Sequence, residues 1–286
     1  MMEWRDETQN VQIRAQEIRL GRNVSFGKNV KIDVRGIFAL GDRSRIGDNA
    51  VIEGRNVMIG SDLWNSSREF GGLSIGRGRK NWPEANCIIG DRCTIHNNTI
   101  DLARPVTIGN DVGLSPDVTI YTHGYWLSVL EGYPAKYGPV TIGNGVIVGY
   151  RSLILMGVTI GDKAVIGAQS VVTNNLEGNA IYGGDPAKKL KDIAPPSETE
   201  KRFMTAKILK EYEAIVSYRG LWPVIALNYP IVTVNACTFN LETLEVAGDE
   251  DEETDDFRDF VFRFGLRFFT KRPFKNTYRD HQEGAF

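Results

Sequence analysis

A six-residue period constrains this chain more than anything else in it. Between Val140 and Val172 aliphatic side chains recur at Ile142, Val148, Ile154, Ile160, Ile166 and Val172, each six positions after the last, and four of them are followed directly by glycine. An amphipathic helix would return its apolar positions about every 3.6 residues and a half-buried strand every second one, so neither accounts for the pattern. A hexapeptide period is the mark of a parallel β-helix, in which six residues make one short strand and a turn and three such units close a triangular coil. The same period runs earlier, through Leu20, Phe26 and Ile32, then Leu40, Ile46 and Ile52, then Ile89 and Ile95, then Ile108, Leu114 and Ile120. Pairs such as Asp48-Asn49 and Asn110-Asp111 fall between the aliphatic positions, where a turn with positive φ is needed and these residues tolerate it.

The period breaks twice. Residues 62–86 carry Trp64, Arg68, Arg77, Arg79, Lys80 and Trp82, a mixture able to hold a phosphorylated or sugar ligand, or else a solvated loop pinned by its tryptophans. Residues 121–139 leave the lattice between Ile120 and Ile142 and contain His123, Tyr125 and Trp126. The repeat stops beyond Val172, at Gly183-Gly184 and Pro186. The expected organisation is a lead-in over 1–17, a repeat domain over 18–191, and a C-terminal region over 197–286. In that last region Ser197 to Glu200 forms a capping box for a helix to about Tyr218, with Phe203, Ile208, Tyr212 and Ile215 along one side. Ile231–Phe239 reads as one strand and LETLEV as a second. A closing amphipathic helix follows, with Phe257, Phe260, Val261 and Phe264 at core spacing and the acidic run 249–256 at its N-terminal end, where negative charge is favourable. The fold class is mainly β, a solenoid with a small C-terminal α/β appendage.

Composition narrows the partners. With a net charge of −2 over 286 residues, nothing global draws the chain to nucleic acid or to an anionic membrane. No run of eighteen apolar residues occurs, and the first ten residues are charged with no apolar leader core, so the expectation is a cytoplasmic protein without membrane insertion. Three cysteines make no disulfide framework, and Cys87 and Cys93, six apart at inward positions, read as core.

A stacked coil has no cleft of its own, so chemistry is expected where something leaves it. His123 stands at the root of the second loop. An imidazole, with a reference pKa of about 6.5, accepts a proton readily near neutrality, and a positioned general base contributes about 10²- to 10⁴-fold. The segments PVTIGNDVGLSPDVTIYTHGYW (105–126), PVTIGNGVIVGYRSLILMGVTIGDKAVIGAQSVVT (139–173) and YGGDPAKKLK (182–191) resemble the left-handed β-helix, hexapeptide-repeat acyltransferases, which include galactoside, maltose and xenobiotic acetyltransferases and sugar O-acetyltransferases of surface-polysaccharide pathways. The resemblance covers about residues 18–191. It implies a left-handed coil, a homotrimer with its site between neighbouring prisms, acetyl-CoA as co-substrate, a sugar or nucleotide-sugar acceptor, and no metal. By position it makes His123 the catalytic base, although in the galactoside and maltose enzymes the base lies about two residues later, where this chain has Tyr125. It puts Gly149, Ala168 and Thr173 along the CoA groove, with Lys188, Lys189 and Lys191 as the basic tail that meets the nucleotide phosphates. His96, Asn97 and Asn98 would line the acceptor pocket, and Tyr125 and Trp126 either stack on a sugar or anchor the loop. Two positions depart from the family pattern: Ile147 replaces a tryptophan, and Asn174 replaces a lysine.

The reading is thus an acetyltransferase acting on a sugar hydroxyl in surface polysaccharide or lipopolysaccharide biosynthesis. N-acetylation of an amino sugar and a non-catalytic β-helix scaffold are the alternatives. A γ-type carbonic anhydrase would need a third histidine beside His96 and His123, and His281 lies far out in the tail.

Overall fold

The computed structural model describes residues 1–66, 71–76, 80–272 and 274. The basic residues Arg68, Arg77 and Arg79 and the tail residue His281 lie outside them. The chain divides into two compact units, Met1–Ala194 and Pro195–Phe286.

The first unit is built from three parallel sheets that take successive strands in turn. Thus Val106–Ile108 lies in the second sheet, Gly113–Leu114 in the third, Thr119–Ile120 in the first, and Val140–Ile142 in the second again. The chain therefore winds as a three-sided coil, each strand paired in register with the one a full turn earlier. The six-residue period is the cause: it hands one inward aliphatic to each face. Ile95, Leu114, Val148 and Ile166 are aligned on the third sheet, Ile75, Ile100, Ile120, Ile154 and Val172 on the first, and Ile89, Ile108, Ile142 and Ile160 on the second. All are buried, each contributing about 1.5–3 kcal/mol relative to an exposed position.

The break expected over 62–86 is not continuous, since Trp64–Asn65 and Ser74–Ile75 within it pair as strands of the coil. Coiling also begins earlier than the sequence suggested. Val11–Ala15 already pairs in parallel with Lys31–Val34, because Val11, Ile13 and Ala15 alternate inward, and Met2–Asp6 folds back antiparallel on its outer edge. Corners are tight. Asn49 and Asp111 adopt positive φ as their residue types allow, but so do Arg43 and Arg92, which have no such preference. Their guanidiniums make bidentate pairs across to Asp62 and Asp111 on the next coil, at 2.7–2.8 Å. Cys87 and Cys93 are buried in this core, and burial pushes the Cys87 thiol up to about 12.

Among its described residues the second unit packs two helices and a four-stranded antiparallel sheet. Helix α1 (Glu198–Tyr218) starts at the Ser197/Glu200 capping box. Its buried stripe is Thr205, Leu209, Tyr212 and Val216, while Phe203 is exposed and Ile208 and Ile215 only flank the core. The single strand expected over 231–239 is a hairpin: Ile231–Val234 reverses at Asn235, with φ of 52°, into Cys237–Asn240. LETLEV is a turn leading into Val246–Gly248.

Helix α2 (Glu252–Phe262) buries Phe257, Phe260 and Val261 but leaves Phe264 exposed. Its acidic run does more than face a helix end. Asp251 caps the helix, while buried Asp255 holds Arg258 at 3.0 Å and Arg272 at 2.6 Å, and Asp256 pairs with Arg219. Burial pushes the Asp255 carboxyl up, and the hydrogen bonds from Arg272 and Arg258 together outweigh it, leaving a net lowering. Since the folded carboxyl titrates below the unfolded one, this stabilisation is complete above about pH 4 and is lost as pH falls through the lower folded value. Asp255→Asn takes the carboxylate charge from the buried Arg258, which keeps Glu250 at 3.7 Å and the Phe268 and Arg272 carbonyls. It is expected to cost the second unit about 1–3 kcal/mol at neutral pH, read by denaturant unfolding, with the difference from wild type shrinking in acid.

Candidate active site

His123 and Gly124 form one arm of a short hairpin that leaves the coil at the corner between the first and second sheets, and Lys136 and Tyr137 form the other. The register sets His123 directly opposite Tyr137. Between the arms a single 3-10 turn, Val129–Glu131, is capped by the Ser128 hydroxyl and stopped by Gly132, whose φ of 89° suits glycine.

Beneath this hairpin lies Asp101. It follows Thr99–Ile100, the strand paired alongside Thr119–Ile120, so the coil carries it to the same corner as His123 although 22 positions separate the two. Its Oδ2 is 2.6 Å from His123 Nδ1 and accepts hydrogen bonds from the Thr122 hydroxyl and from the backbone N–H groups of Thr122 (3.2 Å) and Ala103 (3.4 Å). Asp101 is 5% exposed and Thr122 fully buried. Burial alone would push the carboxyl up, but the hydrogen bonds from Thr122 and His123 together bring it below its ordinary value. The group beside His123 is thus an anion near neutrality, and an imidazole that donates Nδ1–H to it has Nε2 as its basic nitrogen.

Rings surround this pair. Tyr137 stacks on His123 at 5.9 Å between centroids, on Tyr125 at 5.8 Å and on Trp82 at 6.4 Å, and the Arg104 guanidinium lies 4.8 Å from its ring centre. Arg104 is in turn paired with Glu84 at 3.1 Å. Tyr125 therefore anchors to the hairpin, whereas Trp126 is 91% exposed and packs on neither.

The other expected residues divide between two corners. His96 leaves the third sheet toward the first, a different corner from His123, so a single chain does not bring the two histidines together. Burial lowers the His96 pKa, opposed by a hydrogen bond to the Ser66 backbone. Asn98 is fully buried; its amide donates to the Ser115 and Val118 carbonyls and its oxygen accepts the His96 N–H, so it builds the corner rather than lining a pocket. Asn97 bridges to Asp117 on the next coil. Gly149 and Ala168 stack at the His96 corner, while Thr173 sits at the His123 corner, aligned above Tyr121 through Leu155. Lys188 and Lys191 are exposed on Lys188–Asp192, which runs antiparallel along the last strand of the third sheet, and Lys189 of that strand is paired with Asp192 and Glu177. Ile147 faces outward from the third sheet, half exposed, and Asn174 donates to the Thr173 hydroxyl at 3.0 Å. Asp101, Arg104 and Tyr137 escaped sequence reasoning. The one available signal was a carboxylate at the lattice position just after an inward isoleucine, one coil before His123.

With this geometry in view, the relatives are informative. Residues 139–174 match the family described as "Hexapeptide repeat of succinyl-transferase". The chain is 40% identical over 90 residues to the galactoside O-acetyltransferase of Escherichia coli K12, covering 31% of this chain and 44% of that one. It is 35% identical over 123 residues to a putative acetyltransferase of Saccharomyces cerevisiae (42% and 62%), and 45% identical over 92 residues to protein CapG of Staphylococcus aureus (31% and 53%). These matches span about half the length of the curated relatives. A maltose O-acetyltransferase structure from Clostridium difficile 630 aligns with 64% of this chain and 70% of that one, at 22% identity and a TM-score of 0.33. Residues 139–174 thus carry the hexapeptide repeat, and over part of its length the chain is similar to acetyltransferases.

Gly149 has a structural reason to be glycine, since a Cβ there would stand 2.4 Å from the Ala168 backbone nitrogen. Gly149→Val is expected to lower stability by about 1–3 kcal/mol through overpacking, and a thermal melt without any CoA present checks this.

Proposed function

We propose that this chain is an acetyl-CoA-dependent acetyltransferase that acylates a sugar hydroxyl, with His123 as general base and Asp101 as its positioning partner. The observation that carries the reading is the His123 Nδ1 to Asp101 Oδ2 contact of 2.6 Å at the root of the loop. With Nδ1–H committed to the carboxylate, Nε2 takes the proton from the acceptor hydroxyl as its oxygen attacks the thioester carbonyl carbon. Asp101 stabilises the imidazolium that results. When the tetrahedral intermediate collapses, the C–S bond breaks and His123 returns the proton to the departing thiolate, leaving an ester and free CoA. Backbone N–H groups at the groove would steady the oxyanion.

In this reading the coil is a left-handed parallel β-helix and the working form a cytoplasmic homotrimer. The trimer has a physical motive: His123 lies at one corner of the prism and Gly149, Ala168 and His96 at another, so apposing two prisms brings the two sets into one groove. Lys188 and Lys191, exposed at the end of the third sheet, suit the nucleotide phosphates of CoA. The acceptor is a sugar or nucleotide sugar of surface-polysaccharide synthesis. An amine acceptor would use the same proton path.

A free-thiol release assay with acetyl-CoA against nucleotide sugars, free sugars, oligosaccharides and amino sugars tests the proposal. Turnover with at least one hydroxyl acceptor is expected, and His123→Ala should lower kcat by at least about 10²-fold. Asp101→Asn should lower kcat by about 10-fold or more, since the amide permits the wrong tautomer of His123. An unimpaired His123→Ala enzyme would place the base elsewhere.

A further inference from the structure

The torsion that sets the plane of an aspartate carboxylate has broad wells, so where its oxygens stand depends on the donors around them. Asp101 Oδ2, which meets His123 Nδ1 at 2.6 Å, also receives the backbone N–H groups of Thr122 and Ala103, but at 3.2 and 3.4 Å. Those two lie at or beyond the long end of the N–H to oxygen range. The Thr122 hydroxyl donates to the same atom from closer in.

We propose that Thr122 is a positioning residue for the His123–Asp101 pair, its hydroxyl fixing the oxygen that receives the imidazole. This rests on His123 being the base. The Thr122 oxygen accepts the Arg104 N–H at 3.1 Å while its proton goes to Asp101, so hydrogen bonds run without a gap from the Arg104 amide through Thr122 and Asp101 to His123. Each link in such a chain polarises the next. The backbone of Thr122 is committed to the same place: its N–H reaches Oδ2, and its carbonyl accepts the Gly138 N–H at 3.0 Å, where the loop returns. Thr122 is fully buried, so water does not compete for its hydroxyl. Branching at Cβ restricts its χ1, and the hydroxyl direction therefore follows the backbone that sets out His123 one residue later. Burial pushes the Asp101 carboxyl up, and the Thr122 hydroxyl leads the hydrogen bonds that bring it below its ordinary value.

Thr122→Val keeps the shape of the side chain and removes the hydroxyl. With acetyl-CoA and an acceptor from the panel above that supports turnover, it should lower kcat by about 10-fold or more with KM for acetyl-CoA within about 2-fold. Thr122→Ser, which keeps the hydroxyl, should stay within about 3-fold of wild type. The acidic limb of kcat/KM, which titrates the pair rather than either residue, should move to higher pH by about 0.5 in Thr122→Val, because a carboxylate that loses a donor holds its own proton and the imidazolium's more tightly. The other ionisable groups around the pair among the described residues are Arg104 with its partner Glu84, the Tyr125 and Tyr137 phenols, Lys136 on the returning arm, and Glu53 and Tyr121 below and above Asp101 on the first sheet. All are kept in both variants. In the His123→Ala background the loss from Thr122→Val should vanish, there being no base left to place. If circular dichroism shows that Thr122→Val does not fold, Thr122→Ala takes its place with the same expectations. A loss that persists in full in the His123→Ala background overturns the proposal, as does a Ser variant as impaired as the Val variant or an acidic limb that stays where it is in wild type. A Thr122→Val enzyme as active as wild type, where His123→Ala is impaired, overturns it while leaving the base reading intact. An unimpaired His123→Ala enzyme, or a wild-type protein silent across the whole panel, removes that reading and this proposal with it.

Discussion

The in-register stacking of parallel strands is the constraint on which the first unit depends. Each coil can pair with the next only if every face receives its inward aliphatic at the right position, so Ile108, Ile142 and Ile160 align although the chain between the first two is far longer than between the others. A segment that does not fit the lattice has one outlet, ejection at a corner. The loop at 121–139 is such a segment, and its two ends are pinned by Thr122, Gly138 and the resumed ladder at Val140. A rigid frame thus delivers a rigid loop root, the condition for holding catalytic geometry on irregular backbone.

The same stacking explains how the dyad forms. Parallel coils bring together residues one turn apart at the same corner, which is how Asp101 comes to lie under His123. The price is a buried carboxylate, offset by the Thr122 hydroxyl, two backbone N–H groups and the imidazole. Above the dyad the hairpin adds an aromatic layer that the coil interior beside it lacks, its buried hydrophobic positions from Cys87 to Val172 being aliphatic or cysteine. Glycine has a matching role at Gly149, where the next coil leaves no room for a side chain.

Most of the coil was legible because its period is a direct statement of what faces inward, and the α1 start was legible because a capping box is local chemistry. The site was legible only in part. His123 stood out as a histidine at the exit of the lattice, but Asp101, Arg104 and Tyr137 reach it through coil stacking and hairpin pairing, which no local pattern expresses. Asn98 misled for the converse reason: polar residues beside a histidine suggest a pocket, yet a tight corner also needs an amide to satisfy backbone carbonyls. In the second unit, Ile231–Phe239 concealed a hairpin because its turn is Asn235-Ala236, with no glycine to announce it, inside a run of strong strand formers.

The central claim is that this coil carries a working acyl-donor site rather than serving as a scaffold, despite Ile147 and Asn174 standing where the family has tryptophan and lysine. Calorimetric titration of the purified protein with acetyl-CoA and with free CoA tests it most directly. Saturable binding of both, unchanged in His123→Ala, is the predicted result. No binding heat up to millimolar concentration of either would contradict it.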